Sequence, residues 1–339
     1  MRAQLINNKK EWDDFVSKQE YSLFTQYSEY GSFYESIGEQ SWVVGIYDDE
    51  KLVGGSLIVS VHARRGNFLF MPYGPILNHT QDKHLDVLVQ FVRKFAKKER
   101  YDFVRVCPFI DDTLKNRKTF AKYGFRNAPL HMLAETTWLL DISVNEEELL
   151  SGMKKNHRNL IRRCIRDDVK VNKSMSKDAV ERLNDLHDIT AKKHNFHRFS
   201  NEYINKEFNA FSANNNALVF EAYLPDNTLD ASSIIMFAGN MSAYRHSASL
   251  NKNPKLPSSY LIQWEAILES KHRNKKYYNF WGIAPNDSKK SHPFAGITHF
   301  KKGFGGFQKN LLHCQDLPIT KKYYITFIIE MARKIKRGF

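Results

Sequence analysis

Lys301, in the corner HFKKGFGG, is a cation followed by glycine-rich backbone. A lysine so placed can meet a developing negative charge. A second cluster lies in MKKNHRNLIRRCIRDDVKV, where Lys155, Arg158, Arg162 and Arg166 fall within about a 100° arc of a helix. Met153, Leu160 and Cys164 lie opposite, so one side is expected to pack and the other to show a basic stripe suited to a phosphate backbone. Just upstream, Ser143 with Glu146 three residues on has capping-box spacing. No catalytic triad, metal-ligand cluster or Walker loop is visible. His194, His197 and His246 have no suitable partners nearby in sequence and are expected to be structural or surface groups.

The elements that position these residues follow a repeated order. A short helix from Lys9 to Lys18 precedes FTQYSEYGSFYESIG, whose aromatics recur at helical spacing. Alternating strands then flank a turn at Asp48-Asp49, a helix begins at HLDVLVQ, DFVRVCPFI reads as a buried strand, and KTFAKYGF as a short helix capped by Gly124. The second half repeats this order: strands around turns at Pro225-Asp226-Asn227 and Gly239-Asn240, a long helix from Ser259, then the strand YYNFWGI. This predicts duplication of one mixed α/β unit, without residue identity between the halves.

A chain of 339 residues suits two domains of about 150 residues each, and 42% hydrophobic content is that of a folded protein. Lys and Arg outnumber Asp and Glu by 51 to 37, a formal charge of +14 that favours polyanionic partners. Three widely spaced cysteines, Cys107, Cys164 and Cys314, make no disulfide framework or zinc pattern, and a reducing cytoplasm is the expected home. No signal-peptide h-region and no apolar run near 18 residues is visible, so no membrane span is expected. The segment YYITFIIEMARKIKRGF reads as a helix with an apolar start and a basic end at Lys334, Lys336 and Arg337. A core helix with a solvated basic end is the favoured reading, with peripheral contact at the cytoplasmic face of the membrane kept open.

In order along the chain, QYSEYGSFYESIG, MPYGPIL, VRVCPFI, the basic helix, SSYLIQWEAILESKHRNKKYYNFWGIAP and GITHFKKGFGGFQKNLLHCQDLP resemble the FemABX aminoacyltransferases, the peptidoglycan interpeptide bridge formation enzymes. The resemblance covers nearly the whole chain. It implies an α/β fold of two tandem GNAT-like (acyl-CoA N-acyltransferase) domains, each a mixed, mostly antiparallel sheet flanked by helices. Residues 1–142 with 318–339 form the first, the last helix packing back on it, and residues 143–317 the second. No heptad run interrupts the second domain, as in the compact, arm-less members.

The resemblance further implies transfer of an amino acid from aminoacyl-tRNA, a co-substrate, to a stem-peptide amine of a UDP-linked or lipid-linked peptidoglycan precursor. No other cofactor and no metal is expected. Lys301 aligns with the family lysine at the tRNA end and the developing charge. Arg198 aligns with an arginine that meets the precursor's phosphates, and Tyr203 and Tyr260 with tyrosines lining the same pocket. The basic helix would contact tRNA. Two departures stand out: Tyr34 replaces a lysine common in the family, and Cys107 replaces an acidic residue of some members and is expected to be a buried structural thiol.

Two other classes stay open at this point. One is an acyl-CoA-dependent N-acyltransferase acting on a cell-surface polysaccharide. Gly303 and Gly305 have the spacing of a pyrophosphate loop, but Phe300 stands where such enzymes place Gln or Arg. The other is a non-catalytic basic module that binds tRNA or a membrane surface.

Overall fold

The computed structural model describes the chain except residues 65, 78–81, 195–197, 287, 289–293 and 338–339. It divides into two compact units, one of Met1–Lys18, Thr25–Glu135 and Lys309–Phe339, the other of Gln19–Phe24 and Thr136–Gln308.

The first unit opens with β1 (Arg2–Leu5), α1 (Lys9–Ser17) and α2 (Ser28–Ser36). Asn8 caps α1 by accepting from the Glu11 N–H. β2 (Ser41–Asp48) and β3 (Lys51–Ala63) form the expected hairpin, its turn helped by Asp49 at a φ of 51°. β4 (Gly66–Tyr73) and β5 (Ile76–Leu77) both pair with β3. The three-and-four apolar spacing folds as α3 (Asp82–Lys98), which buries Leu85, Leu88, Val89 and Val92 and crosses over to β6 (Phe103–Pro108). α4 (Leu114–Lys122) and β7 (Arg126–Asn127) complete this stretch.

The second unit contains β8 (Thr136–Asp141), α5 (Glu146–Gly152), α6 (Lys155–Arg166), β9 (Lys170–Ser174), α7 (Lys177–His194) and α8 (Asn201–Ser212). Then come β10 (Ala217–Tyr223), β11 (Leu229–Ala238), β12 (Met241–Ser249), α9 (Ser258–His272), β13 (Tyr277–Gly282), α10 (Ala295–Lys302) and β14 (Phe307–Asn310), whose last two residues already count with the first unit. β15 (Gln315–Pro318) and α11 (Tyr323–Arg337) return to the first unit. α9 is apolar on nearly every side and correspondingly buried, with Leu261, Ile262, Trp264, Ala266 and Ile267 in the second core.

The first sheet has the order β1-β2-β3-β4-β6-β15-β7 with β5 on β3, and the second β14-β8-β13-β12-β11-β10-β9. Both are mixed sheets with the same central connection: β4 runs parallel to β6 across α3, and β12 parallel to β13 across α9. This is the duplicated order read in the sequence, and it is the GNAT-like arrangement. The units divide at 135/136 and 308/309, against the expected 142/143 and 317/318, because β8 pairs with β13.

Two local expectations are corrected. The cap of α5 is Asn145, whose Oδ1 accepts from the Glu148 N–H at 2.9 Å, while Ser143 turns back to Asp141. Cys107 is not a free thiol. The antiparallel register Gln315↔Val106 sets Cys314 opposite it, Cα atoms 4.3 Å apart, and the two form a disulfide across 207 residues. No spacing rule reveals such a pair. Cys164 remains a free, buried thiol, its pKa pushed up to about 11 by burial.

The first unit also buries an ion cluster. Arg105 on β6 makes two bonds to Asp316 on β15, at 2.7 and 2.8 Å, and two to Glu330 on α11, at 3.2 and 2.7 Å. All three side chains are almost fully enclosed. Burial raises the pKa of Asp316 despite the arginine, since two carboxylates share one cation.

Candidate functional site

β12 and β13 begin as a parallel pair and then part. Their register holds from Met241↔Tyr277 to Ala243↔Asn279, yet β12 continues to Ser249 and β13 to Gly282. The equivalent pair in the first unit, β4 and β6, stays in register from Phe68↔Phe103 to Tyr73↔Pro108. Bulges flank the gap in the second unit. β13 inserts one residue between Asn279↔Leu139 and Gly282↔Thr137, which throws Trp281 to a φ of 67°. Asn279 Oδ1 holds this kink by accepting from the Trp281 N–H and the Thr137 hydroxyl, both at 2.7 Å. On the other strand Ile234↔His246 is followed by Ile235↔Tyr244, so Arg245 is the extra residue.

Lys301 fills this opening. Its Nζ donates to the Gly282 carbonyl on β13 at 2.7 Å and lies 5.8 Å from the centre of the Tyr244 ring on β12. It sits in the last turn of α10, just before the glycine corner, and is only 4% exposed. Burial alone brings its pKa down from 10.5 to about 7. Near neutral pH the group can therefore act as a cation or take a proton.

Beside it lies a charged network that sequence reading missed. Arg245 donates to Glu207 at 2.9–3.1 Å, and His246 Nε2 lies 2.6 Å from the same carboxylate. Burial opposes the charge of Glu207, but Arg245 and His246 outweigh it and pull the pKa down to about 2. The Arg245 guanidinium faces the rings of Trp281 at 5.4 Å, Phe199 at 5.5 Å and Phe24 at 5.7 Å. Next to it, burial brings His187 down to about 4, its Nε2 2.8 Å from the Ser247 carbonyl. The only hint of this cluster in the sequence is an Arg-His pair inside an apolar strand.

The anticipated residues fall into separate groups. Tyr260 on α9 packs in a ring cluster with His157, Phe300 and Phe304, centroids 4.8, 4.9 and 5.9 Å away, and burial raises its pKa. Phe300 places this cluster one residue from Lys301. Tyr203 stacks on Phe199 at 4.4 Å, which links it to Arg245. Arg198 precedes that phenylalanine, but its guanidinium is held by Asp188 at 3.0 Å, the Phe199 carbonyl at 3.0 Å and Asn201. Tyr34 belongs to the first unit, buried against Tyr30 and Phe33. His197 lies outside the described residues, as does the side chain of His194.

The basic helix is α6, and its stripe is thinner than expected. Lys155, Arg162 and Arg166 are exposed, but Arg166 pairs with Asp167 at 2.6 Å. Arg158 turns back, its Nη1 donating to the Leu150, Ser151 and Met153 carbonyls at 3.3, 3.0 and 2.5 Å, which closes the end of α5. The inward line is His157, Ile161 and Cys164, with Leu160 only half-buried.

The glycine corner is not a phosphate loop. A pyrophosphate loop precedes a helix N-terminus, whereas Gly303 follows α10 at its C-terminal, electronegative end. Gly303 is required by packing: a Cβ there would lie 1.9 Å from the His157 ring. That ring is locked by Nε2, 3.0 Å from the Phe300 carbonyl.

The FemAB family model matches residues 8–229 and 219–330. Among solved structures, the fold is similar to FemX, at 16% identity, TM-score 0.87, covering 97% of this chain and 100% of that one. It is also similar to the C-terminal domain of a putative lysylphosphatidylglycerol synthetase from Agrobacterium fabrum, at 13% identity and TM-score 0.58, covering 96% of each chain. A tandem GNAT protein from the clavulanic acid biosynthesis pathway matches at 10% identity and TM-score 0.55, covering 94% of this chain and 99% of that one. No curated protein matches the chain by sequence. The family match runs along nearly the whole length and the fold accords with it: this chain belongs to the FemAB family.

Proposed function

We propose that this chain transfers the aminoacyl group of a charged tRNA to a stem-peptide amine of a peptidoglycan precursor, with Lys301 as the cation that meets the developing oxyanion. Membership of the FemAB family supports the reaction. The single observation behind the residue assignment is the buried Lys301 ammonium in the gap between β12 and β13.

The reaction sets the requirements. The amine attacks the ester carbonyl carbon of the aminoacyl-tRNA, a C–N bond forms, and the C–O bond to the tRNA ribose breaks. The amine's proton ends on the ribose hydroxyl that leaves. An activated ester needs modest base help, while its tetrahedral intermediate needs charge stabilisation in a water-poor site. Lys301 fits that second need. Tyr260 and Phe300 would wall one side of the acyl site, and the Arg245–Glu207 pair would stiffen the other. Lys155 and Arg162 on α6 would contact tRNA phosphates. The reversed polarity of the glycine corner disfavours a CoA pyrophosphate.

The test is transfer of labelled amino acids from bulk charged tRNA to UDP-linked and lipid-linked pentapeptide precursors, assayed side by side. Lys301→Ala should lower kcat by about 10²- to 10³-fold. Transfer by the wild type with Lys301→Ala unimpaired removes this lysine from the mechanism.

A further inference from the structure

α11 is built inside out. Its inward side carries Tyr323, Thr326 and Glu330, all buried, and Glu330 joins the Arg105 ion cluster. Its outward side carries Tyr324, Ile325, Ile328, Ile329, Met331 and Ile335, between 36% and 78% exposed. At 100° per residue these six side chains share a sector about 160° wide, centred opposite Glu330. Arg333 and Lys334 border that sector on its two sides, and Lys336 lies within it near one edge. Lys321 and Lys322 stand just before the helix, both exposed. The one acidic residue of α11 is Glu330, and it points inward. The favoured expectation of a core helix with a solvated basic end is thereby corrected: Thr326, Glu330 and Tyr323 anchor it, and most of its apolar side chains face out.

We infer that α11 is a membrane-surface helix that docks on an anionic phospholipid bilayer. Its axis lies along the interface, with the isoleucines and Met331 among the upper acyl segments and the bordering cations at the headgroup phosphates. The Lys336 stem is long enough to follow the apolar face while its ammonium reaches the headgroups. Among the described residues no helix is long and apolar enough to cross a membrane, so this contact is lateral. Charge decides against a second copy of the chain as the occupant. A two-fold contact through this face would bring two sets of Arg333, Lys334 and Lys336, with Lys321 and Lys322, into one interface, in a chain of net charge +14. An anionic surface complements the same residues. The inference does not rest on the transfer activity.

Co-sedimentation of the full chain with vesicles tests it. Mixed phosphatidylglycerol and phosphatidylcholine vesicles should bind the protein at least about tenfold more tightly than phosphatidylcholine alone, and high salt should weaken the binding. Ile328→Glu and Ile335→Glu each alter an exposed position, so thermal melts should match the wild type while vesicle affinity falls about tenfold or more. Lys334→Glu with Lys336→Glu should weaken binding to the anionic vesicles. Wild-type binding by both isoleucine variants, or no vesicle binding at all, overturns the inference. Equal binding to the two vesicle types overturns the anionic assignment. A dimer in light scattering that Ile328→Glu dissociates, without vesicle binding, assigns the face to a second copy instead.

Discussion

The Lys301 ammonium is held by the Gly282 carbonyl, 2.7 Å away, at the point where β13 has left its parallel partner. The bulge at Trp281 turns that carbonyl toward the gap, and α10 delivers the lysine from the other side. Burial in the gap, rather than this hydrogen bond, lowers its pKa.

Stability should depend on pH through Lys301 in a direction opposite to that of a paired lysine. Its folded pKa, about 7, lies below the ordinary 10.5. The folded state then binds fewer protons between these values, so stability rises with pH across that window. The penalty is full below about pH 7 and gone above about 10.5. Lys301→Met should be more stable than the wild type at pH 7, by about 1 kcal/mol after the lost hydrogen bond, with the difference shrinking toward pH 10. Melts at three pH values check it.

Activity should respond with the reverse sign. A lysine that works as a cation loses its charge as pH rises through about 7, so kcat/KM should fall on that limb. Lys301→Arg keeps its charge at every accessible pH, so whatever activity it retains should lack that limb. A pH–rate profile of both proteins reads this directly.

Gly303→Ala drives a methyl group into the His157 ring and should destabilise the second unit by about 1–3 kcal/mol. Adding His157→Ala should recover part of that loss in a double-mutant cycle. Gly296 lies in the first turn of the same helix, where a Cβ would meet nothing within 4 Å among the described residues, so Gly296→Ala should be neutral or stabilising. Denaturant unfolding separates these cases.

Arg105→Met leaves Asp316 and Glu330 buried without their cation and should cost about 3–5 kcal/mol at pH 7. The loss should lessen at lower pH, where the buried carboxylates can bind protons. Asp316 already has a folded pKa above its ordinary value, so its share of stability grows as pH falls.

On α6, the cations differ in what they can do. Replacing Lys155 and Arg162 by alanine should weaken tRNA binding and reduce the slope of log affinity against log salt by about 1–2. Arg158→Ala should leave that slope unchanged and lower the melting temperature, because Arg158 serves the carbonyls at the end of α5. Filter binding across a salt series, with melts alongside, distinguishes them.

The sequence by itself determined the elements and their repeated order. The periods of α3 and α9, the Asp48-Asp49 turn and the alternating strands are local signals, set by neighbours a few residues apart. Collinear motifs were enough to identify the family, because their order survives where single residues do not. Tertiary structure decided which of these residues came together. Lys301 and Tyr244 meet only because two strands part, and Cys107 finds Cys314 only through the β6–β15 register. Arg158 was legible as a basic residue on a helix, but not as the cap of the helix before it. In α11 the helix with its apolar start and basic end was readable, whereas the choice of inward face was not. A hydrophobic period marks two faces of a helix, and only the partner it packs on, here Arg105 and Asp316, selects which one is buried.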